Sequence, residues 1–140
     1  SWDFSPWTLK IIREMGLLYD SSLMADDEPY ELLDEGQPTG VVELPVEWIR
    51  DDAIYFNMDR MGGLRPYTGP ETVLDIFRRE LEVAHQEGGL YVLTMHPHHI
   101  GHRSRITILE EVIKLAKAMP GVWFATHEEI ARWCAREAGL

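Results

Sequence analysis

Apolar residues recur at helical spacing in three stretches in the second half of the chain. The stretches cover residues 71–87, 106–116 and 128–137, and the first ends at Gly88. Thr126 and Glu129 form a predicted capping box at the start of the third. Near the amino terminus, Ser5 is a predicted N-cap for a further helix that ends at Gly16. The pattern therefore predicts four helices.

Short continuous apolar runs lie between these helices. Residues 90–95, 122–125 and 41–44 predict buried strands, and residues 17–20 predict a weaker one. Residues 26–39 resemble a linker, and residues 57–70 predict a long loop. The order of elements predicts an α/β fold in which parallel strands alternate with helices, in one domain over residues 1–140. In such folds the reactive groups lie at the carboxyl ends of the strands.

Composition and charge narrow the classes of function. The 140 residues carry a formal net charge of -11, which disfavours binding to nucleic acid or to a membrane surface. No apolar run approaches the roughly 20 residues that span a bilayer. The single cysteine, Cys134, cannot form an internal disulfide and fits a reducing compartment, so the expected location is cytoplasmic.

Four of the six histidines follow the predicted strand at 90–95. His96 stands at the strand end, and Pro97 restricts it to an extended backbone, so we expect a rigidly held imidazole suited to proton transfer. Binding of a metal by this loop alone is a disfavoured alternative, because its spacing is not a usual ligand pattern. His98 and His99 are expected to be solvated, and the role of His102 stays open.

Acidic, aromatic and basic residues add further candidates. Asp51 and Asp52 are adjacent, so one is expected to point inward, where it could orient His96, while the other caps a helix or faces solvent. Packing is the commoner role for any one tryptophan, but aromatic faces also bind sugars and flat rings. The candidate substrate-binding residues are Trp2, Trp48 and Arg103, although Arg103 and Arg105 are more readily interpreted as anchors of the histidine loop.

Several segments together resemble the polysaccharide deacetylase family (carbohydrate esterase family four), and within it the peptidoglycan-deacetylase-like and allantoinase-like subgroup. They occur in the expected order and are SWDFSPWTL at 1–9, GLLYDSSLM at 16–24, ELPVEW at 43–48 with Asp51 and Asp52, TMHP at 94–97 with Gly101 and residues 103–105, and VWFAT at 122–126 with EIA at 129–131. The resemblance implies part of a deformed (β/α) barrel that is incomplete on its own. It also implies hydrolysis of non-peptide C–N amide bonds with a divalent metal, often zinc.

The resemblance also implies roles for individual residues. His96 matches the late motif whose histidine protonates the departing amine, and Asp51 or Asp52 matches the acidic motif that supports the catalytic groups. The family's metal ligands, an Asp and a His-x-x-x-His pair of the first half, have no counterpart here, so no metal is expected on this chain. The chain therefore resembles a carboxyl-terminal portion, which we expect to be inactive by itself.

Partners and alternatives follow from this interpretation. The expected substrates are N-acetylated sugars, including peptidoglycan, or small cyclic amides such as ureides. The expected macromolecular partner is the amino-terminal half of the barrel or a second copy of the chain, because a partial barrel leaves strand edges and apolar helix faces uncovered. The alternatives are a non-catalytic binding or assembly module and a metal-storing histidine loop.

Overall fold

A computed structural model of the chain describes residues 3–57 and 68–139. The chain divides into two compact units, one formed by Ser1–Val46 with Trp123–Leu140 and the other by Glu47–Val122. The single domain expected over residues 1–140 stays a prediction. Most of the predicted loop at 57–70, and Trp2, lie outside the described residues. No described helix is both long and apolar enough to cross a membrane.

The first unit contains a mixed three-stranded sheet. Its strands are β1 (Tyr19–Asp20), β2 (Tyr30–Asp34) and β3 (Gln37–Glu43), in the spatial order β1-β3-β2. β1 runs parallel to β3, whereas β2 runs antiparallel to it. The predictions of strands at 17–20 and 41–44 are therefore confirmed in outline, because β1 and the buried end of β3 occupy those positions.

The interpretation of residues 26–39 as a linker is wrong. This segment contains β2 and the start of β3, which form a hairpin around Glu35 and Gly36. Both turn residues have positive φ, 48° and 80°, as a two-residue hairpin turn that matches the twist of the strands requires. The short apolar stretch of β2 is surrounded by acidic and proline residues, and this polar composition is typical of a linker rather than of a strand.

Two helices complete the first unit. α1 (Thr8–Glu14) begins two residues after Pro6, and its N-cap is Trp7 rather than the predicted Ser5. Ser5 instead bonds the Thr8 hydroxyl through its backbone N–H and its own hydroxyl. α6 (His127–Ala138) begins with the predicted capping box: the Thr126 side chain accepts from the Glu129 N–H, and the Glu129 side chain accepts from the Thr126 N–H. Ile12, Leu32 and Val41 form a small buried cluster in this unit.

The second unit is mainly helical. Its elements are a 3₁₀ turn (Trp48–Arg50), α2 (Asp52–Phe56), α3 (Pro70–Glu87), α4 (Pro97–Ile100) and α5 (Arg103–Ala118). α3 and α5 agree with the helices predicted from apolar spacing, and α3 ends at Gly88 in a left-handed conformation. Their packed faces and α2 form the core, whose fully buried members include Phe56, Val73, Phe77 and Ile108. The segment with four histidines, residues 96–102, was predicted to be a loop, but α4 makes most of it helical.

The predicted buried strands at 90–95 and 122–125 are not strands of the described sheet, and Trp123 and Phe124 are exposed rather than buried. In the described part of the chain, the first has one isolated parallel bridge, between Thr94 and Asp51. A strand is defined by its hydrogen-bonded ladder, and residues 90–95 find a partner over only a short length. Their half-buried side chains explain the apolar sequence without a complete sheet around them.

Candidate active site

Two extended segments of the second unit meet at the candidate site. Thr94 donates its backbone N–H to the Arg50 carbonyl at 2.8 Å and accepts the Asp52 N–H at 3.2 Å. These bonds align the residues that follow on each segment, as they would in neighbouring parallel strands. The alignment places Asp51 and Asp52 beside His96, although 44 residues separate Asp52 from His96.

The Asp52 carboxylate holds His96 through both backbone and side chain. The His96 N–H lies 3.0 Å from each Asp52 oxygen, and its ring Nδ1 lies 2.7 Å from Oδ1. The Ile100 N–H adds a 3.0 Å bond to Oδ2. Because a carboxylate oxygen accepts, Nδ1 carries a proton and Nε2 is the ring atom available for exchange. Asp52 is fully buried, whereas the His96 side chain is 38% exposed.

Asp51 has a different role from its neighbour. Its carboxylate caps α2 by accepting the Ala53 N–H at 2.6 Å, and it lies 3.8 Å from His96 Nδ1. Burial raises the pKa of Asp51, and the hydrogen bond from Ala53 and the nearby charge of His96 oppose that rise. One adjacent aspartate therefore points at the histidine while the other caps a helix, which is the division expected from their alternation.

Arg50, the residue before the two aspartates, has a buried side chain that forms an ion pair with the partly exposed Glu80. Arg50 is 5% exposed and donates to Glu80 of α3 at 3.0 Å. Because the Arg50 carbonyl also accepts the Thr94 N–H, this side chain ties the aligned segments to the helical core. Sequence analysis did not single out Arg50, since an arginine before two aspartates has no distinctive signal.

His98 is exposed, in agreement with the expectation of a solvated residue, whereas His99 is half-buried, and both rings lie close to His96. Their ring centroids are 5.6 Å and 5.5 Å from that of His96, at steep interplanar angles, and 4.1 Å from each other. α4 creates this cluster by turning the chain straight after His96. Burial lowers the pKa of His99, and the neighbouring His98 lowers it further. The signal in the sequence was the His-Pro-His-His run, whose helical turn was not foreseen.

Two of the candidate substrate residues, Trp48 and Arg103, are exposed. Trp48 lies in the 3₁₀ turn and is 49% exposed. Arg103 is exposed at the first position of α5, with a left-handed φ of 31°. The Arg105 guanidinium lies over the Phe56 ring, 5.5 Å from its centroid, which supports its interpretation as an anchor. The structure thus brings together Asp51, Asp52 and His96, and leaves Trp48 and Arg103 exposed.

Within the described residues, Asp51, Asp52 and His96 form the one group whose donor atoms are close enough to hold a metal, all within 4.8 Å of one another. Their hydrogen bonds do not fit that use. Both Asp52 oxygens already accept N–H donors, and Nδ1 of His96 carries the proton that a metal would have to replace. The arrangement instead fits a proton-transfer pair, in which a buried carboxylate fixes the tautomer and orientation of an accessible imidazole.

Comparisons with known proteins give strong structural matches. Neither a family model nor a curated protein matches the sequence. Among solved structures, a protein described as a polysaccharide deacetylase from Mycobacterium smegmatis is 36% identical, with a TM-score of 0.88 over 99% of this chain and 48% of its own. A protein described as a polysaccharide deacetylase from Pseudomonas aeruginosa PAO1 is 26% identical, with a TM-score of 0.78 over 97% of this chain and 45% of its own.

The Puue allantoinase shares the fold at 24% identity, with a TM-score of 0.76 over 95% of this chain and 44% of its own. The chain thus spans about half the length of each of these three solved structures. The match confirms the fold class, part of a deacetylase barrel. The resemblance to the polysaccharide deacetylase family is therefore confirmed in sequence and in fold, over a stretch that makes up about half of such a protein.

Proposed function

We propose that this chain supplies the proton-donating part of a hydrolase that cleaves non-peptide C–N amide bonds, with His96 as the general acid. The observation that carries the proposal is the Asp52–His96 pair, in which a buried carboxylate holds an accessible imidazole by its backbone and its Nδ1. The names of the solved relatives support the reaction class, since they are polysaccharide deacetylases and an allantoinase.

The proposed role of His96 follows from the chemistry of the leaving group. An amide nitrogen leaves as a neutral amine only if it gains a proton as its bond to carbon breaks. When both ring nitrogens of His96 are protonated, the Nδ1–H remains hydrogen-bonded to Asp52. The Nε2–H can then be donated to the departing amide nitrogen. Asp52 then compensates the positive charge of the imidazolium and keeps the ring in one orientation. Asp51 contributes by capping α2, and so fixes the segment that carries Asp52.

In this proposal, the nucleophile that attacks the carbonyl carbon comes from outside this chain. The family resemblance implies a divalent metal, often zinc, for that task. The Asp52 carboxylate already accepts backbone N–H groups, which disfavours a metal at that residue. We therefore place the metal ligands on the part of the relatives that this chain does not match. By the same argument, the chain alone is expected to be inactive.

Association with an amino-terminal half of the barrel, or with a second copy, forms part of the proposal. Large apolar side chains of the first unit are exposed, including Trp7 at 68%, Met15 at 67%, Trp123 at 56% and Phe124 at 57%. Apolar surface of this kind is stabilised by a covering chain. For the substrate we propose an N-acetylated sugar or a small cyclic amide, contacted by Trp48 and Arg103. A cytoplasmic location stays a prediction.

The test is reconstitution. The chain is combined with the amino-terminal half of a solved relative and zinc, and release of acetate from N-acetylated sugars and ring opening of cyclic ureides are measured. His96→Ala is expected to lower turnover by about 10²–10⁴-fold. His102→Ala, which changes an exposed histidine on the same segment, is the matched control and is expected to keep the activity.

Two results would contradict the proposal. Full activity of the His96→Ala assembly would remove the general-acid assignment. A folded wild-type assembly that binds sugar without hydrolysing any of these amides would instead favour the non-catalytic binding or assembly module.

A further inference from the structure

Three ionisable residues form a row across the sheet of the first unit. Glu43, on the central strand β3, is paired with Asp20 of β1 on one side and with Tyr30 of β2 on the other. Residues paired directly across neighbouring strands point to the same face of a sheet. Glu43 therefore has a carboxylate on one flank and a phenol on the other, and the proposed hydrolase chemistry uses none of the three.

Glu43 is fully buried, and its two oxygens have different surroundings. Oε1 accepts the backbone N–H groups of Ser22 and Leu23, both at 2.8 Å. Oε2 is buried without a hydrogen-bond partner, and so are Asp20 Oδ2 and the Tyr30 hydroxyl. A buried acceptor without a donor costs about 1–3 kcal/mol, and the cost is greater if both the buried Glu43 and the half-buried Asp20 are charged.

A single proton resolves this arrangement. If this proton is on Glu43 Oε2, the resulting O–H can donate a hydrogen bond to the Asp20 carboxylate. The pair then carries one negative charge instead of two. We propose that Asp20 and Glu43 share one proton, and that this proton acts as a latch that holds residues 21–24 on the sheet. Its loss leaves two adjacent carboxylates that repel each other beneath that segment.

The latched segment is bonded to Glu43 at the end of β3 and to residues 44 and 46 directly after it. The Ser21 hydroxyl donates to the Leu44 carbonyl at 2.7 Å, and the Val46 N–H donates to the Leu23 carbonyl at 3.2 Å. The Leu44 N–H donates to the Asp20 carbonyl at 2.9 Å. The two bonds to Glu43 Oε1 lie in the middle of this set. Movement of the Glu43 carboxyl away from Asp20 therefore strains the bonds that hold residues 21–24.

The groups around the pair support a proton rather than a fixed charge. Burial raises the pKa of Glu43 to about 7, the charge of Asp20 raises it as well, and the two backbone N–H bonds oppose the rise. From β2, the Tyr30 hydroxyl faces the pair and has a raised pKa because of burial, and Asp26 also acts on Tyr30. From α6, the His127 ring lies 5.8 Å from that of Tyr19, the residue before Asp20.

The direction of the pH dependence follows from this raised pKa. The pair stabilises the fold fully below the ordinary glutamate pKa of 4.5, and this contribution is lost as the pH rises to about 7. Within that window, the equilibrium constant for unfolding rises by up to about tenfold per pH unit, because the folded chain holds one proton more than the unfolded chain. Most ion-paired carboxylates give the opposite sign.

The experiment compares urea unfolding of the full chain at pH 5–8 for wild type and Glu43→Gln. Glutamine reproduces the protonated carboxyl, since its oxygen can accept from Ser22 and Leu23 while its amide donates to Asp20. We expect the wild type to lose stability relative to Glu43→Gln as the pH rises through this range. Exchange of the Ser22 and Leu23 amides, corrected for intrinsic rates, is expected to accelerate above pH 7 in the wild type only.

Glu31→Gln is the matched control, because Glu31 lies on the same sheet and its side chain accepts a single bond from Gly40. It is expected to keep the wild-type pH dependence. A wild type that follows Glu43→Gln at every pH would overturn the proposal, and so would a Glu31→Gln chain that loses the effect. Saturable stabilisation of the wild type by Ca²⁺ or Mg²⁺ at pH 8, absent from Glu43→Gln, would show that the pair holds a cation instead.

Discussion

Replacement of Asp52 tests the centre of the candidate site. In Asp52→Ala, the backbone N–H groups of His96 and Ile100 lose their acceptor, and each such loss costs about 1–3 kcal/mol in a buried setting. The ring bond to Nδ1 adds less, because the His96 side chain is 38% exposed and water can replace the carboxylate there. We therefore expect the free energy of unfolding to fall by about 2–6 kcal/mol.

Asp52→Asn separates stability from proton placement. Its single oxygen can replace Oδ2, which accepts from His96 and Ile100, and its amide then faces Nδ1. Because that amide donates, Nδ1 has to become an acceptor, and the proton of the neutral ring moves to Nε2. We expect a smaller loss of about 1–3 kcal/mol, together with a change of tautomer.

The assay is urea unfolding together with ¹⁵N NMR of the histidine ring nitrogens, which distinguishes the two tautomers directly. Asp51→Asn is the control. It makes the same change at the adjacent residue, where asparagine caps a helix as well as aspartate does, so both readouts are expected to stay near wild type. The reasoning is refuted if Asp52→Asn keeps the proton on Nδ1, or if Asp51→Asn moves it.

Two further predictions concern the scaffold of the site. In Gly101→Ala, the new Cβ would overlap the Pro97 carbonyl oxygen, so α4 must shift. We expect the free energy of unfolding, measured in urea, to fall by about 1–3 kcal/mol and the His96 amide to exchange faster. Unchanged exchange would contradict this prediction. Arg50→Met removes the buried cation that pairs with the Glu80 carboxylate. We expect the free energy of unfolding in urea to fall by about 2–4 kcal/mol. A fall below about 0.5 kcal/mol would show that the ion pair does not stabilise the fold.

Several local features of the candidate site could be predicted from the sequence, while the roles of its residues stay predictions. Pro97 sets the backbone of His96, which has φ -117° and ψ 120° as an extended residue. The position of His96 after an apolar run identified the reactive edge of a parallel α/β fold. The alternation of adjacent side chains predicted separate roles for Asp51 and Asp52. None of these inferences needed a long-range contact to be known in advance.

Features that depend on register could not be predicted in the same way. Glu43 and Asp20 are 23 residues apart, and only the pairing of β1 with β3 places them side by side. The pairing of β2 with β3 depends on a Glu-Gly turn with two positive φ angles, a signal weaker than Asn-Gly or Asp-Gly. The apolar run at 90–95 predicted a buried strand, whereas its residues are half-buried and form a single bridge within the described part of the chain, because a ladder depends on neighbours as well as on the strand itself.

The proton-transfer pair is complete within one compact unit. Asp52, His96, Ile100 and the supporting Thr94 and Arg50 all belong to Glu47–Val122, together with the α3 and α5 core that holds them. Burial of Asp52 and the four contacts of its carboxylate are therefore set within this unit. Under the proposed function, a partner would have to bring only the nucleophile and the substrate to an imidazole that is already oriented. The same proposal explains why the chain alone is expected to show no hydrolysis.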